Sequence, residues 1–263
     1  MTDKTRAKIK NKFEFLISNQ INISLDILLS IAFEDKVVKI NKFQNYKKAL
    51  KELIIELDLP NELYEQVSKL SYDIIFEKFV VDRYFYKDLD DLLKNIDLIE
   101  KAMDNNAPKI FKRIKFVSIL LWYGFQMEDI ESLRIENMVG NKKIKVNNKI
   151  FYLSESKYYS FIKQILQENI IINSGIIARN VQVLNDYVDK LNETKFKYRY
   201  ISQAEVYENG RLYAMYLLQI IQKHINLLEA AKQVSLGRIK VIRNSKQATA
   251  LKKEYVIWHE RFY

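Results

Sequence analysis

The chain has 263 residues, 48% of them hydrophobic, with 43 Lys and Arg against 33 Asp and Glu and no cysteine. This composition is that of a globular protein large enough for two modest domains, and it excludes disulfides and thiolate metal sites. The N-terminus lacks the apolar stretch of a signal peptide and no apolar run reaches the ~20 residues of a membrane span, so we expect a cytoplasmic protein without a membrane partner.

The positive charge is concentrated in the second part of the chain. Residues 1–104 carry 17 basic and 19 acidic side chains, whereas residues 105–263 carry 26 and 14. A concentrated positive field is typical of polyanion binders, because neutralising phosphates releases their condensed counterions. A lysine-rich solubilising surface is the alternative explanation. The asymmetry favours double-stranded DNA as the partner.

The first part of the chain is predicted to be a series of helices. Apolar residues recur at helical spacing over residues 6–19, 24–33, 41–57, 61–80 and 88–103. Ser24 and Asn61 are placed to cap the second and fourth of these helices, and Pro60 interrupts the chain between the third and the fourth. A polar segment at 104–108 then predicts a linker. We therefore expect an all-helical N-terminal domain at 1–104 and a basic C-terminal domain at 105–263.

Three carboxylates, those of Asp88, Asp90 and Asp91, open the fifth helix. A metal site is one interpretation of such a cluster. A helix start is the favoured one, because the helix dipole stabilises negative charge in the first turn.

The C-terminal domain begins with a predicted helix over 108–124 that ends at Gly124. A short acidic helix follows and closes at Leu133, and then comes a β-hairpin over 142–153. Apolar and basic residues alternate along its strands, and Asn147-Asn148 can adopt the positive φ angles of a tight turn. The expected fold class is mainly α with a small hairpin.

Helices are also predicted over 156–170, 178–191 and 204–232, the last broken near Asn209-Gly210, and at the C-terminus. The segment TKFKYRYIS alternates basic and aromatic residues, which suits either an extended strand facing phosphate or a half-buried edge strand. The sequence has no phosphate-binding Gly-rich loop and no HExxH motif. With His224 and His259 as its only histidines, it predicts no metal and no cofactor.

The order YGFQMEDIESLRIENM followed by a basic hairpin resembles the start of the catalytic domain of the tyrosine recombinases, the phage-integrase family. In that family an apolar helix runs into a Gly-Leu-Arg turn, a short acidic helix ending in leucine, and a hairpin that carries a lysine. The resemblance implies a two-domain architecture, in which a helical core-binding domain precedes a larger basic domain.

Carried over position by position, the family's first arginine falls on Gln126 and its hairpin lysine on Lys149. Its second arginine falls on Gly210. The nucleophile would be Tyr255, or as a second choice the terminal Tyr263. Cleavage by tyrosine needs two guanidinium groups that clamp the scissile phosphate, and neither glutamine nor glycine supplies that charge.

The resemblance therefore implies a sequence-specific DNA-binding protein that has lost the chemistry, with self-association on DNA as an open option. Two groups fit: the integrase-like lysogeny repressor of SPβ-type phages, which is favoured, and the tyrosine-recombinase-like relaxase of clostridial conjugative plasmids. The second would be a strand-cleaving enzyme that uses Tyr255. A helical protein-interaction module is the third alternative. The predicted phosphate contacts are Lys109, Lys112, Arg113, Lys145, Lys149, Arg211, Arg238 and Arg243.

Overall fold

The computed structural model describes residues 1–33, 40–103, 107–140, 142–192, 198–236 and 245–263. Its backbone divides into two compact units, Met1–Asp82 and Arg83–Tyr263. The described residues are mainly helical with one two-stranded antiparallel sheet, as the sequence predicted. No helix among them is both long enough and apolar enough to cross a membrane.

The N-terminal unit, Met1–Asp82, is helical. Its elements are α1 (Asp3–Ser18), α2 (Leu25–Phe33), α3 (Ile40–Glu56), α4 (Asn61–Lys69), α5 (Tyr72–Phe76), a π-helical turn (Glu77–Val81) and the start of α6 (Asp82–Tyr84). The helix predicted over 61–80 is in fact two helices, because Leu70 is extended and the Ser71 side chain accepts the Ile74 N–H as a new N-cap.

The C-terminal unit, Arg83–Tyr263, is built around one buried helix. Its elements are α7 (Leu89–Ala102), α8 (Pro108–Trp122), α9 (Met127–Glu131), a 3-10 turn (Ile135–Asn137), β1 (Lys143–Val146), β2 (Lys149–Tyr152), α10 (Ser156–Gln167), α11 (Ser174–Asn192), α12 (Gln203–Ile221), α13 (Leu227–Leu236) and α14 (Ser245–Phe262). Helix α8 packs against α7, α10, α11 and α12, and all its residues from Phe116 to Trp122 are buried.

The division between the two compact units falls after Asp82, whereas the sequence placed the domain boundary at 104. Helix α7 packs on α8 and therefore belongs to the C-terminal unit, although its acidic sequence matches the charge balance of the first part. The charge balance of the chain and its division into packed units thus change at different residues. The predicted linker residues 104–106 lie outside the described residues.

The break predicted at Asn209-Gly210 does not exist: α12 continues through both residues and ends at Ile221. Gly210 is required by packing, since a Cβ there would lie 2.1 Å from the carbonyl oxygen of Trp122. The Asn209 side chain accepts the Tyr86 N–H at 2.7 Å. Both residues serve contacts between elements, which is why their low helix propensity is tolerated.

Residues 198–201 form an extended segment held by asparagine side chains. Asn95 pairs with both backbone groups of Arg199, accepting from N at 3.0 Å and donating to O at 2.9 Å. Asn185 does the same for Ile201 and Asn192 for Tyr198. Each side-chain amide makes the two backbone hydrogen bonds that a neighbouring β-strand would otherwise make. The backbone groups of this segment are therefore paired although it belongs to no sheet.

Candidate nucleic-acid interface

The outer face of the β-hairpin is basic, apolar and exposed. Lys143 lies opposite Tyr152 and Lys145 opposite Ile150, and all four side chains point to solvent. The Lys143 ammonium lies 5.5 Å from the centre of the Tyr152 ring, and Tyr152 is 62% exposed. We call these four residues the hairpin face. It combines two cations with an aromatic ring, a composition suited to phosphates and base edges.

The hairpin turn has the geometry expected from the sequence. Asn147 and Asn148 have φ angles of 47° and 60°, which is the two-residue turn that matches strand twist. On the inner face, Ile144, Val146 and Phe151 are buried. The hairpin face is therefore displayed by a strand pair anchored to the core.

A buried carboxylate ties the turn to α9. Asp129, whose side chain is 2% exposed, accepts two hydrogen bonds from Lys149 at 2.7 and 3.0 Å and one from Asn147 at 3.0 Å. It also accepts the backbone N–H of Gln126 at 3.2 Å. Gln126 and Lys149, onto which the sequence resemblance carried the family's first arginine and hairpin lysine, are thus linked through Asp129, and Lys149 is engaged in an ion pair.

The pKa of Asp129 lies below its ordinary value. Burial acts to raise this pKa, but the hydrogen bonds from Lys149, Asn147 and the Gln126 N–H together outweigh it. The carboxylate is therefore ionised at neutral pH and forms a charge-assisted link to Lys149.

The basic start of α8 is mostly engaged within the protein. Lys112 pairs with Glu168 at 2.7 Å, and the Arg113 Nε donates to the Ile171 carbonyl at 3.1 Å. Lys109 is exposed in the same turn. Of these three predicted phosphate contacts, Lys109 is the exposed residue.

The predicted contacts further along the chain differ in their surroundings. Lys145 is exposed in the hairpin face, whereas Arg211 is 8% exposed and pairs with Glu208 at 3.0 Å. Arg238 and Arg243 lie outside the described residues, as do Lys195 and Lys197 of the basic and aromatic segment. Arg199 of that segment pairs with Asp91 at 2.6 Å.

The proposed nucleophile is buried in an aromatic cluster. Tyr255 is 2% exposed and its hydroxyl donates to the Gln219 side chain. Burial, with a smaller contribution from Tyr216, raises its pKa to about 12. Tyr263 is 44% exposed, but its ring stacks on that of Tyr216 with centroids 4.0 Å apart, and its pKa is also raised by burial.

A cavity of about 170 Å³ adjoins Gly210, and we call it the Gly210 cavity. Its walls include the carboxylates of Asp88, Asp90 and Glu155 and the rings of Trp122, Tyr123, Tyr158 and Tyr213. Among the described residues, no Lys or Arg lines it. A phosphate would meet negative charge here, in contrast to the guanidinium clamp that cleavage requires.

The carboxylates of Asp88, Asp90 and Asp91 lie at the start of α7, as the sequence predicted, and the structure shows in addition that Asp88 is the N-cap. Asp88 accepts the Asp91 N–H at 2.8 Å, Asp90 pairs with Lys157, and Asp91 with Arg199. Within the described part of the chain, no group of three or more His, Asp and Glu could hold a metal ion.

Sequence reasoning missed three residues that shape this surface. Asp129 looked like one of several acids on a short helix, but its carboxylate reaches back to accept the Gln126 N–H, as the third helical residue of a capping box does. Ile150 and Tyr152 were assigned to neither face of the hairpin, although strict alternation with the buried Phe151 places them outside.

No family model matches this chain, and a search of curated proteins found no significant match.

Proposed function

We propose that this chain is a sequence-specific double-stranded DNA-binding protein of tyrosine-recombinase-like architecture, which acts as a repressor for a phage or mobile element and does not cut DNA. The observation that carries the DNA-binding proposal is the hairpin face, where Lys143 and Lys145 stand beside exposed Tyr152 and Ile150 on a strand pair whose inner face is buried. The excess of positive charge in residues 105–263 supports it. The repressor role rests on the sequence resemblance.

The residues at the two positions where the resemblance would place the family's arginines support the non-catalytic part of the proposal. Gln126 carries no charge, position 210 has no space for a side chain, and the adjoining cavity is lined by carboxylates. Tyr255 is a buried phenol with a raised pKa, which opposes formation of the nucleophilic phenolate at neutral pH.

The test begins with selection of bound fragments from the source genome, followed by anisotropy titrations of the recovered duplex at several salt concentrations. We expect the logarithm of affinity to fall linearly with the logarithm of salt concentration. The double variant Lys143→Ala/Lys145→Ala should reduce the slope by about two, since each phosphate contact contributes about 0.9.

The matched control is Lys48→Ala/Lys69→Ala, which removes the same charge from exposed helical sites of the N-terminal unit. We expect this control to retain most of the affinity and slope. Binding without salt dependence, or equal losses in both double variants, would contradict the assignment of the hairpin face. The absence of any duplex binding at moderate salt would instead favour a protein-interaction module.

A further inference from the structure

A third segment of chain lies beside the hairpin face and adds one apolar side chain to the same surface. Met138 forms a bridge with Ile144, and the Val139 N–H donates to the Lys143 carbonyl at 2.9 Å. Because Ile144 is buried and side chains alternate along extended backbone, Val139 stands on the outer side, next to Lys143. The exposed surface is therefore three backbone segments wide.

Three large apolar side chains are exposed on this surface. Ile150 is 56% exposed, Tyr152 62% and Val139 54%, and the first two are neighbours on the outer face of β2. Single exposed apolar residues are common, but several on one surface mark a binding site. Phosphates interact with Lys143 and Lys145 and gain nothing from an apolar neighbour. A DNA partner must therefore offer an apolar group close to its phosphates.

In duplex DNA that group is the C5 methyl of thymine, which the base pair displays in the major groove. The major groove is about 12 Å wide and admits a two-stranded β-ribbon, whereas the minor groove is only about 6 Å wide. The Ile150 side chain has no donor or acceptor. Among the features of base edges, the thymine methyl group is therefore the one that it can recognise.

Two polar side chains that border the hairpin face are occupied within the protein. The Asn137 amide accepts the Arg134 N–H at 2.6 Å and donates to the Lys145 carbonyl at 2.7 Å, and the Lys149 ammonium is held by Asp129. Neither group is available to a base without losing these contacts. This favours base recognition by the apolar side chains.

The spacing of side chains along β2 matches the stacking of base pairs. Ile150 and Tyr152 are two residues apart on one face of the strand, so they are separated by about 6.8 Å along it. Successive phosphates of one DNA strand are about 3.4 Å apart along the helix axis, so this separation corresponds to two base-pair steps. Lys143 and Lys145 lie on the neighbouring strand, about 4.8 Å away, from which long side chains reach phosphates beside the groove.

We propose that Ile150 is a specificity residue, which selects thymine at one position of the DNA site through contact with the C5 methyl group. The inference rests on the proposed function, since it requires the hairpin face to enter the major groove of a duplex. The Tyr152 ring packs on the base two steps away, and Lys143 and Lys145 bind the phosphates. Recognition at this surface is thus partly apolar.

The test uses the full chain and the duplex selected from the source genome. Replacing every thymine by uracil removes the methyl groups and keeps all hydrogen-bonding groups of the bases. Anisotropy titration at constant salt concentration should show weaker binding. Single replacements should locate a thymine whose methyl group accounts for about fourfold of the loss, the factor expected for one buried methyl group.

Equal affinity for the thymine and the uracil duplex would overturn this proposal and leave the DNA-binding function intact. Failure to bind any duplex would overturn both.

The variant Ile150→Ala assigns the contact. It should bind the duplexes with thymine and with uracil at the located position equally well, and its salt slope should stay that of the wild type because no charge is lost. The matched control is Ile220→Ala, which truncates an isoleucine of similar exposure, 53%, on α12 and should keep the fourfold preference for thymine. A preference that survives in full in Ile150→Ala would assign the methyl group to another residue and refute the proposal.

Discussion

Gly210 and Trp122 meet where α12 crosses α8, so closely that a Cβ at position 210 would lie 2.1 Å from the Trp122 carbonyl oxygen. Because the clash is with backbone, a rotamer change cannot relieve it. We expect Gly210→Ala to lower the free energy of unfolding by about 3 kcal/mol or more, at or above the usual cost of overpacking. Urea unfolding monitored by circular dichroism measures this change.

Gly175 provides the control, since its Cβ would meet only the Asn173 side chain at 3.6 Å. Gly175→Ala should be close to neutral or slightly stabilising. A Gly210→Arg protein, which places arginine where the resemblance to the tyrosine recombinases would put it, is expected not to fold. Folding of that variant with wild-type stability would show that the two helices are not in this contact.

Lys149 and Lys145 are both hairpin lysines, but they should differ in their effect on DNA binding. Lys145 is exposed, whereas Lys149 is bound to Asp129. Lys145→Ala should weaken binding and lower the salt slope by about one. Lys149→Ala should weaken binding through loss of the hairpin's anchorage, with little change in slope. Equal reductions of slope would mean that Lys149 leaves Asp129 to bind phosphate.

The Asp129 carboxylate should make the hairpin sensitive to acid. Its pKa in the folded state is below the ordinary value of 3.8, so its stabilising effect is complete above that value and is lost as the pH falls through the lowered pKa. At pH 7, Asp129→Asn should lower the free energy of unfolding by about 1–3 kcal/mol. The difference from the wild-type protein should shrink below about pH 4.

The measurement is urea unfolding of both proteins at a series of pH values. Glu65→Gln, which alters an exposed carboxylate on α4, serves as the control and should stay close to the wild type throughout. A difference between Asp129→Asn and the wild type that persists unchanged to pH 2 would exclude ionisation of Asp129 as its source.

Asn95 should be important for stability because it pairs with both backbone groups of Arg199 and is 4% exposed. Asn95→Ala leaves these groups without their partner, at an expected cost of about 2–4 kcal/mol. Asn192→Ala removes the same two bonds from Tyr198 at a less buried site and should cost less. Thermal unfolding measures the loss of stability in each of the two variants. Equal losses would show that the burial of the asparagine does not determine the cost.

Tyr255→Phe distinguishes the binding protein from the enzyme. The variant loses the hydrogen bond to Gln219 and should lose about 1 kcal/mol of stability while binding DNA as the wild type does. On a nicked suicide substrate made from the selected site, we expect neither protein to form a covalent adduct. An adduct formed by the wild type and abolished in Tyr255→Phe would establish the strand-cleaving alternative.

The candidate surface was only partly predictable. Lys145 and the turn at Asn147-Asn148 follow from local alternation and turn chemistry, which depend on neighbouring residues alone. The pairing of Lys149 with Asp129 and of Arg199 with Asp91 joins residues distant in the chain, and spacing carries no information about it. For the same reason, the basic residues of α8 could not be sorted into paired and exposed ones.

The sequence by itself determined the mainly helical class, the hairpin with its turn, the helix start near Asp88 and the concentration of positive charge, because each depends on periodicity, local turn chemistry or composition. Only the tertiary structure decided that Gly210 lies inside a helix rather than at a break. It also decided that α7 belongs with α8 and that carboxylates line the cavity beside Gly210. These features arise where segments far apart in the chain pack together, and close packing overrides local propensity.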